Sequence, residues 1–575
     1  MLDSKLSPIL VEVIRNAFID AAHEMAAALY RGAHTPVIYE AKDCSVGVYD
    51  VQARLLGQAP GLPIFLGNMG ACIEHVSAKV GVGGLRRGDV FILNDAYIQG
   101  SHLTDITVLA PIFCGHTLVG FAATRADGGH LGGKDLGVST DTVHIYQEGL
   151  RIPAVRLVRA GSPNEELFEL LALNSFFHGA RRGDLEAQVA ACFKGAERVE
   201  AVFAKHGSAT VQAATEQIFA QSEALDREAV AAMPDGVYQA EGFVDNDGIT
   251  AQTVPVRVTV TVSGDDLTID LTGSSPATRG PINCGKVQAV SACRVAVKEL
   301  IHPEAPVNGG SFRNLSVIVP ANSVFDAREP APCQWYYTPL GLLIDLVQRA
   351  IAPAVPGRVA AAHFGDSMIV SFSGTRDSAP GGEDFVLISA EVGGWGAYAG
   401  GDGQDAMINV INGDFKNLPI EFIERRFPIT VESYSLRQDS DGAGQWRGGL
   451  GVTKTFRVEQ DGTLVSVWMD RSQNPAWGLF GGESAVGPVA VVDPGTGQER
   501  RYNKVTDLCL VTGQRVEVRT GGGGGYGEAS CRDRAAVAED VLHGYVSRDR
   551  AEAVYGGVGQ PAGLAPLRQP TAWRP

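Results

Sequence analysis

The chain runs to 575 residues with a formal net charge of −17, 45% apolar residues and 20% charged ones. At roughly 100–200 residues per domain, that length holds two to four domains or one interlocked body; the acidity, with no Lys/Arg run, excludes a general nucleic-acid binder, which sets clustered cations against phosphate. Nine cysteines without a C-x-x-C pair argue against a disulfide framework or a zinc–thiolate site, and with no stretch of about 20 apolar residues and no basic-then-apolar leader in residues 1–5, a cytoplasmic protein that is neither secreted nor membrane-embedded is expected.

Residues 7–31 read as an amphipathic helix, with Ile9, Val13, Phe18 and Ala22 on related faces and Gly32 where it stops. Strands are predicted over 44–50 and 89–94. After a polar turn come two more, 106–113 and 117–125, separated only by Cys114, Gly115 and His116, and these are expected to form a hairpin. Residues 163–232 read as mostly helical, with starts at Asn164, Asp184 and Ser208, where capping or acidic groups suit the free backbone N–H groups. From about 236 the alternation over 254–262 and 267–271 is that of a β-meander. Helices recur near 286–302 and 338–352, and 359–520 reads as short strands broken by glycine clusters. A last helix is expected over 533–551, followed by a mobile Pro/Gly-rich tail over 559–575.

The segment with the most chemistry is Asn94-Asp95-Ala96-Tyr97-Ile98-Gln99-Gly100-Ser101-His102-Leu103-Thr104-Asp105, matched by a second, Thr124-Arg125-Ala126-Asp127-Gly128-Gly129-His130-Leu131-Gly132-Gly133. They flank the hairpin. A turn centred on Gly115 pairs residues whose numbers sum to about 230–232, so Asp105 is expected opposite Ala126 or Asp127, and His102 near His130. Cross-strand neighbours lie roughly 5 Å apart at Cβ. Imidazoles and carboxylates converging at a strand mouth are what a divalent cation requires, although polar residues at hairpin ends are also common without one. The expected fold class is mixed α/β (α+β), with a helix-rich N-terminal half carrying this hairpin and a Gly-rich, β-dominated C-terminal half. Its expected divisions are a metal-bearing α/β domain at 1–235, a β-rich domain with a few helices at 236–530, and a C-terminal helix and tail at 531–575.

A series of motifs in one order resembles the hydantoinase B family, which includes the hydantoinase-like half of 5-oxoprolinase, caprolactamase metal subunits and the related large subunits of acetone and acetophenone carboxylases. The series includes Lys42-Asp43-Cys44-Ser45, Gln58-Ala59-Pro60, Leu66-Gly67-Asn68-Met69-Gly70, Asn94-Asp95 and His102-x-x-Asp105. It continues with Glu148-Gly149-Leu150-Arg151-Ile152-Pro153, Arg182-Gly183-Asp184-Leu185 and Arg279-Gly280-Pro281-Ile282-Asn283. Trp446-Arg447-Gly448-Gly449-Leu450-Gly451, Trp477-Gly478-Leu479-Phe480-Gly481-Gly482 and the Gly521–Gly525 run complete it. The resemblance implies metal ligands at Asp43, His102 and Asp105. In the second motif Asp127 stands where the family has its ligand histidine, and His130 where it has an aspartate. Either can ligate, and a ligating Asp127 shifts an oxygen-richer set from zinc towards manganese.

The resemblance further implies a division of labour. A hydantoinase A-like partner binds ATP and phosphorylates the amide or enolate oxygen of a cyclic amide, and this chain, with one divalent ion (zinc or manganese), adds water and opens the ring. The implied assembly is a hetero-oligomer such as a heterotetramer. Asp127 or His130 would serve as general base. Arg125 would hold an anionic intermediate, or equally form a structural ion pair. Asp95 reads as a turn or supporting residue. Two other readings stand beside this one: a component of an ATP-dependent ketone carboxylase, and a non-catalytic structural component. Gly521–Gly525 lacks a following Lys-Ser/Thr and reads as a tight surface or interface turn rather than a phosphate cradle. Trp477 and Phe480 read as packed against a turn rather than stacked on substrate.

Overall fold

The computed structural model describes residues 6–129, 131–176, 178–376 and 383–557. The first half is built on a seven-stranded antiparallel sheet of β1 (Cys44–Tyr49), β2 (Leu55–Gln58), β3 (Val90–Leu93), β4 (Asp105–Cys114), β5 (Thr117–Asp127), β6 (Val155–Arg159) and β7 (Ser162–Pro163), in the order β2-β1-β5-β4-β3-β6-β7. Two long helices, Pro8–Gly32 and His178–His206, cover one face. The first buries Val11, Ile14, Phe18, Ala22, Met25 and Leu29, a three-and-four spacing that gives one apolar stripe. The helix Met69–Val80 packs on the other face with Tyr49, Phe91, Leu109 and Phe121. Burial on both faces explains why β4 and β5 read as nearly continuous apolar runs rather than alternating ones.

The hairpin forms as expected, with Asp105 opposite Asp127 and one irregularity in the pairing between Ile112 and Phe113. One helix start differs from the sequence reading. Asp184 lies inside the single helix His178–His206; its Oδ1 accepts from the backbone N–H groups of His34 and Thr35, at 2.7 and 3.1 Å. It therefore caps a distant turn, not its own helix. Helix Ser208–Ala231 starts where expected, with Gly207 at its cap position and no side-chain bond there. The last predicted helix is two, Arg534–Leu542 and Arg548–Tyr555, broken at Gly544, whose φ of 75° ends a helix. The predicted tail at 559–575 lies outside the described residues. Among the described residues, no helix is long and apolar enough to cross a membrane.

The second half opens at Gly236 with a four-stranded sheet of β8 (Gly236–Val244), β9 (Val254–Ser263), β10 (Asp266–Asp270) and β11 (Leu315–Ile318). Helices Lys286–Leu300 and Tyr337–Ile351 pack together, the second also lying on β8 and β9. Beyond lie a four-stranded sheet led by β12 (Ile369–Arg376) and β13 (Glu383–Ala390), and a five-stranded one. The largest apolar core runs across the two halves, joining Leu62, Phe65 and Val138 to Trp335, Leu343 and Trp468.

Gly521–Gly525 corrects the sequence reading: it is neither a surface turn nor a phosphate cradle. The run is buried and belongs to no helix or strand, threaded between other glycine-bearing segments. Gly523 N–H donates to Gly449 O (2.9 Å), Gly524 N–H to Ala362 O (2.8 Å) and Gly525 N–H to Glu483 O (3.0 Å). A Cβ on Gly523 would overlap the Trp395 carbonyl oxygen. Backbones approach so closely that no side chain fits between them, and the N–H groups a phosphate would need are already used. Trp477 accordingly packs under the guanidinium groups of Arg349 and Arg471, and Phe480 against Tyr526 at 5.1 Å.

Candidate metal centre

The site is built at the open end of the hairpin. Asp105 starts β4 and Asp127 ends β5, so the ladder sets them side by side. The turn before Asp105 is pinned from beneath by Gln99, fully buried, whose Nε2 donates to His102 O (3.2 Å) and Asp105 O (2.7 Å) and whose Oε1 accepts from Thr107. Asn94 Nδ2 donates to Leu103 O at 2.7 Å. Two buried amides thus fix the backbone that projects His102. Asp95 caps the turn Ala96–Gln99 by accepting from Tyr97 N–H and pairs with Arg151 at 2.8 Å, the supporting role expected of it.

His102 Nε2 lies 3.0 Å from Asp105 Oδ1, and His102 Nδ1 3.0 Å from Gln334 O. A carbonyl only accepts. When the ring is neutral, the proton therefore stays on Nδ1, and Nε2 offers its lone pair towards the carboxylates. His102, Asp105 and Asp127 bring ligand atoms within 4.8 Å of one another. Asp43 lies beside this group just before β1; its carbonyl accepts from Asp127 N–H at 3.0 Å, and its Oδ1 is buried without a hydrogen-bond partner.

Electrostatics point the same way. Burial, and then the charges of Asp127 and Asp105, raise the Asp43 carboxyl well above its ordinary range, with His102 opposing. Burial raises Asp127 too, against the pull of His102. Burial alone would lower His102, but Asp105, by charge and hydrogen bond, and Asp127 lift it to about 9. Three carboxylates, Asp105 fully buried and Asp43 and Asp127 half-buried, share one imidazole, with one oxygen orphaned. A divalent cation would supply the missing charge, and the N/O donor set suits zinc or manganese.

These groups line a cavity of about 320 Å³, within the range of small-molecule sites. Its walls come from both halves: Phe65, Tyr336, Tyr337, Phe385, Phe415 and Phe427 supply much of the apolar surface. Arg376 and Arg426 line both this cavity and a neighbouring one.

Over residues 7–529 the sequence matches the family described as Hydantoinase B/oxoprolinase. The chain belongs to that family. It is 30% identical to the B component of a putative D-/L-hydantoinase from Pseudomonas sp. (strain NS671), across 96% of this chain and 95% of that one. It is 28% identical to the beta component of caprolactamase from Pseudomonas jessenii, across 96% of each. The crystal structure of ATP-dependent caprolactamase from Pseudomonas jessenii matches at a TM-score of 0.89 and 26% identity, covering 98% of both chains. A nucleotide-free acetone carboxylase structure shares the fold, with a TM-score of 0.87 at 19% identity over 96% of this chain and 80% of that one.

In this hydantoinase B family member, the structure brings Asp43, His102, Asp105 and Asp127 together; His130 lies outside the described residues. Arg125 sits one ladder pair deeper, opposite Thr107. It is fully buried and donates to Asn68 Oδ1 (2.7 Å), Thr107 Oγ1 (2.8 Å) and Cys72 Sγ (3.2 Å). Its donors are spent on the scaffold, and it is not among the cavity-lining residues. Sequence reasoning missed Tyr336, whose hydroxyl donates to Asp105 Oδ2 at 3.4 Å and whose ring meets His102 edge-on at 5.1 Å. It also missed Arg181, buried behind the loop after β5, donating to Gly129 O at 2.7 Å; a Cβ at Gly128 would overlap its guanidinium. Burial lowers this guanidinium to about 10, against Asp127 and Asp184. Tyr336 is more than 200 residues from His102, and no spacing rule links them. Arg181 precedes the Arg182-Gly183-Asp184 motif, which was the one available signal.

Proposed function

We propose that this chain is the metal-dependent subunit of an ATP-dependent cyclic-amide hydrolase, acting on hydantoin-, lactam- or 5-oxoproline-like rings that a hydantoinase A-like partner has phosphorylated. One observation carries the reading: Asp105, Asp127 and an Nδ1-anchored His102 bring their ligand atoms together on the wall of a mostly apolar cavity that Asp43, with an unpartnered buried oxygen, also lines. The names of the relatives support it, since they include the B component of a hydantoinase and the beta component of a caprolactamase, and one solved relative is called ATP-dependent.

An amide is a poor electrophile, and phosphorylation at its oxygen creates a leaving group. Asp43, His102 and Asp105, with either Asp127 or His130, would hold a zinc or manganese ion. Bound there, it supplies Lewis acidity and makes a water proton easier to remove. The chain's own residues do the rest. The aromatic walls bind the ring and exclude bulk water. Tyr336 and Gln334 orient Asp105 and His102. Whichever of Asp127 and His130 does not ligate takes the proton from the attacking water. Arg125 works through the scaffold by holding Asn68 and Thr107.

The test mixes the purified chain with its ATP-binding partner, ATP and candidate hydantoins, lactams and ketones, and follows ring opening. Turnover without bicarbonate is the expected result. A strict demand for bicarbonate would make it a carboxylase component instead, and a metal-free chain whose complex turns over unchanged as His102→Ala would make it a structural one.

A further inference from the structure

The segment Glu148-Gly149-Leu150-Arg151 takes no part in the chemistry above, yet its carboxylate is placed with unusual economy. Glu148 is 4% exposed. Its Oε1 accepts from Thr142 Oγ1 (2.7 Å), Cys333 N–H (3.0 Å) and Gln334 N–H (3.0 Å), and its Oε2 accepts from Cys333 N–H at 2.9 Å. Two of its three partners therefore lie some 185 residues away. They are successive backbone N–H groups of the segment that leads into helix Tyr337–Ile351. A carboxylate that gathers two successive N–H groups fixes the orientation of the peptides that carry them. The carbonyl of that same Gln334 is the acceptor for His102 Nδ1. Two residues on, Tyr336 reaches Asp105.

We infer that Glu148 is a positioning residue of the metal centre: by clamping the Cys333 and Gln334 N–H groups it holds the Gln334 carbonyl on His102 Nδ1, which leaves Nε2 facing the carboxylates. The inference rests on the metal-binding reading of the site. Glutamine at 148 would keep the shape but turn an NH2 towards one of the backbone donors, so the clamp would loosen without a cavity forming.

The experiment is chelator competition for zinc and for manganese on the purified full chain, with wild type, His102→Ala, Glu148→Gln and Arg550→Ala, each also melted thermally. Arg550 pairs with Asp441 near the C-terminal helices and serves as a stability control remote from the clamp. His102→Ala is expected to lose the metal. Glu148→Gln is expected to bind it about tenfold more weakly, at the lower end of what groups supporting a metal ligand contribute; Arg550→Ala is expected to bind normally even if it melts earlier. Wild-type affinity in Glu148→Gln, beside a metal-free His102→Ala, overturns this inference alone. An equal loss in Arg550→Ala also overturns it, because the effect would then be one of general stability. Wild-type affinity in His102→Ala overturns the metal reading and this inference together. If Glu148→Gln does not fold, Thr142→Val removes one bond from the same carboxylate; a smaller weakening supports the clamp and an unchanged affinity overturns it.

Discussion

Two glycine-rich regions of this molecule do opposite things. After β5, Gly128 and Gly129 clear space for side chains: Asp127 accepts from the Gly129 N–H on the cavity wall, and the buried Arg181 guanidinium fits where a Cβ on Gly128 would stand and donates to the Gly129 carbonyl. In the run Gly521–Gly525, glycine removes side chains so that backbones can meet each other. The first region leaves polar valence over, such as Arg181 Nε and Nη1; the second uses its N–H groups internally. Leftover buried valence marks chemistry and satisfied valence marks architecture, so a glycine cluster by itself indicates neither.

That contrast can be broken by mutation. The largest effect is expected at the hairpin: His102→Ala or metal removal should cut ring opening by roughly 10²–10⁴ while the melting temperature of the metal-free protein stays near wild type, read by steady-state turnover beside calorimetry. A variant that unfolds instead would make the site architecture. Gly523→Ala is the converse. With its new Cβ against the Trp395 carbonyl oxygen, it should cost about 3 kcal/mol or more in denaturant titration, yet any chain that still folds should bind metal normally.

A smaller effect is expected from Asp366, buried beside Thr338 and Asp470. Burial and the charge of Asp470 raise its carboxyl to about 7. A raised folded-state value favours folding most below the unfolded value of about 3.9, and that contribution is lost as pH rises through about 7. Wild type minus Asp366→Asn should therefore lose stability between about pH 4 and 7, with or without metal. A difference that is flat with pH would contradict the assignment. The smallest effect belongs to the exposed pair Arg87–Glu200: Arg87→Ala should change stability by less than about 1 kcal/mol and turnover not at all.

Much of the hairpin was legible because its information is local. Three residues separate the expected strands, so the turn fixes which side chains face each other, and Asp105 duly pairs with Asp127. The apolar stripe of Pro8–Gly32 was legible for the same reason. The capping assignments failed where a local motif had a distant customer: Asp184 looks like a helix start but bonds to His34 and Thr35. The glycine bundle could not be read, because segments without side chains carry no periodicity.

By itself, then, the sequence determined the hairpin and narrowed its register to two settings, and it determined the long amphipathic helix and the ordered motifs that place the chain in its family, since each depends on neighbours within a turn or on a linear order. Only the tertiary structure decided that Gln334 and Tyr336 reach His102 and Asp105 from the other half, that Glu148 holds that segment, and that Arg125 is spent on Asn68 and Thr107. Those contacts join residues far apart in the chain, and hydrogen-bond geometry between such residues is set by the packing of whole elements, which no spacing along the chain encodes.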